Sequence, residues 1–378
     1  MLETSKDNLR IIVRPHRAAL AVLKGGLEKR FDPCLNGKIE PSTKHALPSC
    51  KRGSETMTAA QPAVSVIVPC YKVTEYIAET LDSLRVQTFR NFEVIVINDG
   101  CPDSENLERA LEPYRDEIVY IKQENTGPAG ARNRGMTASR APLIVPLDAD
   151  DLLDPTYLEV HTGILRDHPE IDVLCSNYVY FGADAGAWSG RKGMDMFPPT
   201  GEPSFQRILS GQCVVPNIST VRRDALIRVG MYDAELRSAQ DLDLWLRLAR
   251  TGAKFSYNRQ PLFRYRIRKG NLSDNKVGCA HAAIRVYRKL LALNPIGEDE
   301  KRQVQDAIRG QEAFIDFILG RKALYACHRD EALRRLTLAN KTLNNRKLRA
   351  AILALRVWPG LLYKYIHHRY PTEHLFLH

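Results

Sequence analysis

Leu143-Ile144-Val145-Pro146-Leu147-Asp148-Ala149-Asp150-Asp151 joins five apolar residues to three carboxylates with no loop between them. A short apolar run of this kind reads as a strand buried on both faces. The acidic group therefore stands at a strand end. Working outward, residues 64–69, 92–97 and 118–121 are further branched or apolar runs of strand length, and residues 77–87 carry helical spacing. Alternation of such runs with amphipathic segments predicts βαβ units, hence an α/β fold with a mainly parallel sheet flanked by helices. In open α/β sheets ligands bind beyond the carboxyl ends of the strands, so the residues that follow each run are the candidate site. After Gly278 the pattern turns helical, at 280–293, 300–319 and 331–343.

With 378 residues, the chain has room for one catalytic domain with appendages. Apolar residues make up 44% and charged residues 26%, which excludes a disordered or fibrous class. The net charge of +11 sits at the two ends: residues 1–60 hold 11 Lys/Arg against six Asp/Glu, and residues 332–378 hold nine against one. Between them the chain is almost neutral, so a nucleic-acid-binding body is not expected. The eight cysteines form no CxxC pair and read as reduced, buried thiols. No secretory signal or spanning segment is evident, which predicts a cytoplasmic protein. Residues 1–60 read as a poorly ordered basic extension with a short amphipathic stretch at 11–27, and Met57 is a candidate alternative start.

Three stretches carry chemistry. Carboxylates at a strand end, such as Asp148 and Asp150, can hold a divalent cation that neutralises a diphosphate; a solvated turn is the plainer alternative. Residues 122–135, Lys-Gln-Glu-Asn-Thr-Gly-Pro-Ala-Gly-Ala-Arg-Asn-Arg-Gly, form a glycine loop leading into a helix with Arg132 and Arg134. Backbone N–H groups at a helix start and guanidinium forks both complement anionic oxygens. Ser238-Ala239-Gln240-Asp241-Leu242-Asp243 opens an amphipathic helix whose acids serve either chemistry or capping.

In order and spacing, these pieces resemble glycosyltransferase family 2, over about residues 64–273. Val64-Ser65-Val66-Ile67-Val68-Pro69-Cys70-Tyr71 is similar to the family's first strand and nucleotide loop, and Ile97-Asn98-Asp99-Gly100-Cys101-Pro102-Asp103 to its Asp-Asp-Gly-Ser stretch. Gln240-Asp241 resembles its Glu-Asp signature, and Tyr265-Arg266-Ile267-Arg268 its closing strand. The resemblance implies a GT-A fold over residues 61–275, then a helical region at 276–345 and a basic amphipathic tail at 346–378. It implies inverting transfer of a sugar from a nucleoside-diphosphate sugar to an acceptor hydroxyl of a glycan, lipid-linked or protein acceptor, in surface polysaccharide, lipopolysaccharide or glycoconjugate synthesis. Pro69, Tyr71, Asp99 and Arg132 would hold the nucleotide, with Asp99 reading the base. Asp148 would contact the ribose, Asp150 would bind Mg²⁺ or Mn²⁺, and Asp241 would be the catalytic base. Asn98, Gln240 and Arg268 depart from the family's usual Asp, Glu and His.

Two rivals are weighed against this reading. A Rossmann dehydrogenase would need Gly-x-Gly-x-x-Gly after the first strand, where Pro69-Cys70-Tyr71 stands instead. A non-catalytic binding protein with a degenerate sugar site, holding membrane or nucleic acid through its basic ends, is the other. The tail at 346–368 alternates basic and apolar residues around Pro359-Gly360, and so suits either peripheral contact with the inner membrane face or packing on the body. Acceptor contacts are expected from residues 181–203.

Overall fold

The computed structural model describes residues 61–271, 274–292 and 296–370, so the expectations for residues 1–60 and for the last eight residues lie outside it. Four parallel strands build the first half: β1 (Val64–Cys70), β2 (Phe92–Asp99), β3 (Ile118–Gln123) and β4 (Leu143–Pro146). Between them run α1 (Ile77–Arg85), α2 (Ser104–Leu111) and α3 (Gly127–Ala138). All four predicted strands are present: β1, β2 and β4 are buried on both faces and so read as continuous apolar runs, whereas β3 is the partly exposed edge strand. Alternate residues divide between the faces. Val64, Val66 and Val68 pack with Ile77, Leu81 and Leu107 on one side, whereas Ile67, Ile95 and Ile97 pack with Ala129, Ala131 and Met136 on the other.

The second half closes the sheet differently. β5 (Leu152–Leu153), α4 (Tyr157–Asp167), β6 (Val173–Phe181), α5 (Gly193–Met196), α6 (Phe205–Leu209), β7 (Ser219–Arg222), α7 (Arg223–Arg228), α8 (Gln240–Arg250) and β8 (Phe255–Arg266) follow in order. The eight strands form one sheet in the order β3-β2-β1-β4-β7-β6-β8-β5. β6 pairs in parallel with β8, whereas β7 runs antiparallel to both β4 and β6 and β5 antiparallel to β8, so the sheet is mainly parallel as expected, with antiparallel pairings at β7 and β5. β5, at the sheet edge, and β7, inside it, are too short to leave a long apolar run to read.

A helical region follows: α9 (Lys276–Ala292), α10 (Glu298–Tyr325), α11 (Arg329–Leu343), α12 (Arg346–Val357) and α13 (Pro359–Arg369). Ala282, Val286 and Leu290 of α9 join the core of α8, whereas Ala280 and Ile284 join Phe314, Phe317, Leu336 and Leu348 in a separate helical core. Pro359 breaks the tail into two helices, as its missing N–H and fixed φ favour a first-turn position. No helix among the described residues is long and apolar enough to cross a membrane. Cys70, Cys101, Cys175, Cys213 and Cys279 are free and buried as expected, but Cys327 is exposed where a buried thiol was predicted; Cys34 and Cys50 lie outside the described residues.

Candidate functional site

The site is built where β1, β2 and β4 end side by side. Leu147 donates its N–H to the Ile67 carbonyl at 2.9 Å, which carries the β4 ladder one residue beyond the strand and sets Asp148 just past it. α3 lies over these ends at close range. A Cβ on Gly135 would stand 2.4 Å from Ile67 Cγ2 and 2.8 Å from Ile97 Cδ1, so only glycine permits this approach. One turn earlier on the same helix, Arg132 reaches the strand end and donates from Nη2 to Asp148 Oδ1 at 2.5 Å.

Arg132 is 5% exposed, yet its Nε and Nη1 have no hydrogen-bond partner among the described residues. Burial opposes its charge, but Asp148, Tyr232 and Asp241 outweigh that and hold its pKa above the ordinary value. One guanidinium thus lies within electrostatic reach of the two carboxylates that the sequence placed 93 positions apart. Its ring neighbour Tyr232 is 5.5 Å from the guanidinium and donates its hydroxyl to Asn217 Oδ1 at 2.9 Å. Asn217 in turn points its amide at Asp148, 3.3 Å from Oδ1. Neither Asn217 nor Tyr232 carries a sequence signal, because an isolated Asn or Tyr in a loop has no periodicity to betray it.

Asp150 accepts from Arg268 Nε at 2.7 Å, and burial together with Asp148 raises its pKa against the lowering effect of Arg268. Asp151 is 2% exposed and accepts the Arg266 backbone N–H at 2.7 Å; burial, then Asp150 and Asp148, push its carboxyl well up. Arg266 also donates to the Asp150 carbonyl at 2.6 Å and to Glu79 at 2.8 Å, clamping the acidic turn to α1 and β8. The role of Arg266 was not expected from its sequence position. No group of three metal-ligating side chains converges among the described residues. Mg²⁺ and related cations are commonly held by one or two carboxylates plus substrate phosphates, and Asp150 with Asp148 fits that smaller set.

Asp99, at the end of β2, is bonded to the loop that opens α3. Its Oδ1 accepts from Thr126 N, Thr126 Oγ1 and Gln123 Nε2, and its Oδ2 from Gly127 N. Three donors converge on Oδ1 and one reaches Oδ2, and Asp99 is 2% exposed. It thereby ties the end of β2 to the start of α3. Among the departures, Asn98 uses its oxygen on Cys101 N and its amide on Ser104 and Tyr120, two donations that an Asp could not make. Gln240 is 7% exposed with its Oε1 unpartnered, next to Ala239 at φ 59°. Pro69 is half-buried, and Tyr71 is exposed at the rim.

The two acids of α8 have separate surroundings. Asp243 is 2% exposed and bound to Arg247 at 2.7 Å and Lys289 at 2.8 Å, so it joins α8 to α9. Asp241 is half-buried and accepts its neighbour's N–H, from Leu242, at 2.8 Å.

The fold is GT-A. S. aureus TarS 1–349 in complex with UDP-GlcNAc superposes with a TM-score of 0.55 at 18% identity, covering 82% of this chain and 91% of that one. The mannosyltransferase PcManGT of Pyrobaculum calidifontis, in complex with GDP-Man and Mn²⁺, gives 0.52 at 19% identity, covering 84% and 86%. Residues 65–230 match the family described as Glycosyl transferase family 2, and through this segment the chain is similar to that family. Relatives include glycosyltransferase GlyA of Streptococcus pneumoniae, 28% identical over 225 residues, which are 56% of this chain and 31% of GlyA. An uncharacterized glycosyltransferase of Methanocaldococcus jannaschii is 29% identical over 215 residues, 55% of this chain and 71% of that protein. The match spans less than two thirds of GlyA and of the Rickettsia typhi relative, at 31% and 64% of their lengths.

Proposed function

We propose that the chain transfers a sugar, with inversion, from a nucleoside-diphosphate sugar to an acceptor hydroxyl. The observation that carries this reading is Arg132: a guanidinium buried beside Asp148 with two nitrogens left for a ligand. Buried donors without partners are costly, and a diphosphate or ribose oxygen would satisfy them. The nucleotide complexes of TarS and PcManGT support a donor of this class. Pro69 and Tyr71 would line the base, with Asp99 fixing the loop that frames it. Asp148, oriented by Arg132 and Asn217, would accept from the ribose.

Asp150 and Asp148 would hold Mg²⁺ or Mn²⁺ together with the donor phosphates, and such a cation acts as a Lewis acid for the leaving group. Arg268, already on Asp150, would add a second positive charge beside the diphosphate. Asp241 would take the proton from the acceptor hydroxyl, and its half-buried carboxylate, without an ion pair among the described residues, suits a base better than the buried, doubly paired Asp243. The acceptor, a glycan, lipid-linked or protein hydroxyl, would pass along residues 181–203, where Trp188 and Phe197 stack at 6.1 Å. The test is a panel of UDP-, GDP- and dTDP-sugars with Mn²⁺, read as release of nucleoside diphosphate. Turnover of one donor is expected; binding of nucleotide without turnover of any donor would favour the non-catalytic reading.

A further inference from the structure

The tail was expected either to meet a membrane or to pack on the body, and its two helices are apolar on more than one side. Leu348, Ile352 and Leu355 of α12 and Ile366 of α13 are buried in the helical core against α10 and α11. That contact uses one face only. Ten large apolar side chains stand exposed among the described residues, and five of them, Leu353, Val357, Trp358, Leu361 and Tyr365, fall within 13 positions here. Trp358 and Leu361, at the corner between the helices, are 65% and 69% exposed. Nothing among the described residues covers this second apolar face.

Charge says which cover fits. Residues 346–370 contain Arg346, Lys347, Arg349, Arg356, Lys364 and Arg369 and no acidic residue. The basic N-terminal extension, at 11 Lys/Arg against six Asp/Glu, has the same sign and is not the complement. We propose that the α12–α13 corner is a membrane-docking edge that seats Trp358 and Leu361 in the interface of an anionic lipid surface, with the flanking arginines and lysines on the headgroups. Aromatic and aliphatic side chains at the acyl boundary ringed by basic residues are the chemistry that such an interface binds. The edge is independent of the transfer site, so it stands or falls apart from the proposed reaction.

The test is co-sedimentation of the full chain with phosphatidylcholine vesicles with and without phosphatidylglycerol, alongside the emission of Trp358 read against Trp358→Phe. Binding is expected only with phosphatidylglycerol, with a blue shift lost in Trp358→Phe and binding weakened by salt. Trp358→Ala with Leu361→Ala, both exposed and thus harmless to the fold, should weaken binding roughly tenfold or more. Arg356→Gln with Lys364→Gln should do so through charge alone. No sedimentation with anionic vesicles, or undiminished binding by both double variants, overturns the proposal. So does self-association abolished by Trp358→Ala with Leu361→Ala in a chain that ignores vesicles, since the face would then meet a second copy.

Discussion

Replacing Arg132 with Met separates ligand binding from folding, because this side chain serves the two unequally. In the free protein the guanidinium is buried with Nε and Nη1 unpaired, each unmade bond costing about 1–3 kcal/mol. Against that stands the ion pair with Asp148, whose side chain is 32% exposed and keeps the Asn217 amide. Loss of a half-solvated pair is far cheaper than loss of a fully buried one. The opposing effects leave the unfolding free energy of Arg132→Met within about 1 kcal/mol of wild type. Nucleotide binding fares otherwise. A charge-assisted hydrogen bond is worth about 1.5–3 kcal/mol, so affinity for nucleoside diphosphate should fall roughly 10- to 150-fold. Thermal unfolding reads both quantities. Ligand at ~100 times the wild-type Kd stabilises by ~2.7 kcal/mol, and the variant should gain ~1.4 kcal/mol or less. An undiminished ligand-induced rise in Arg132→Met, or a free variant destabilised by several kcal/mol, would refute the assignment of those nitrogens to a ligand.

Two further outcomes follow from other residues. His161 is fully buried between Thr220 and Ser176, and burial pushes its pKa down to about 3. The unfolded chain gains this proton below about pH 6.5 while the folded chain does not, so stability falls with pH at ~1.4 kcal/mol per unit. Between pH 6.5 and 5 wild type should lose ~2 kcal/mol more than His161→Gln in urea unfolding, and parallel losses would show that the imidazole titrates in place. Asp150→Ala should abolish turnover, and with it the binding of Mn²⁺ in the presence of nucleoside diphosphate seen by paramagnetic resonance; unchanged values for both would reduce Asp150 to a turn residue held by Arg268.

β1, β2 and β4 were legible because each is buried on both sides, and so was their meeting at an acidic end. The closing half was less so: β5 has two residues and β7 four, too few for a period to show. Within the site, sequence separated Asp241 from Asp243 only by helical angle, whereas the difference in their surroundings comes from Lys289, 46 residues later. The bonds of Asp99 to Thr126 and Gly127 were not legible either, because no local pattern shows that these residues fold back onto it. Arg266 and Asn217 escaped for the same reason, since their contacts with the acidic turn are made across 115 and 69 residues.

The most direct measurement is the release of nucleoside diphosphate by Asp241→Asn beside wild type, using the donor that the panel identifies, at saturating donor and Mn²⁺. The amide keeps the acceptor oxygen that meets Leu242 N, so the start of α8 should survive and donor-induced stabilisation should match wild type. It cannot take a proton, and a positioned base contributes about a hundredfold to ten-thousandfold in rate. The account predicts intact donor binding with release reduced by at least about a hundredfold, or ~2.7 kcal/mol in the barrier. Release by Asp241→Asn at near the wild-type rate would contradict it.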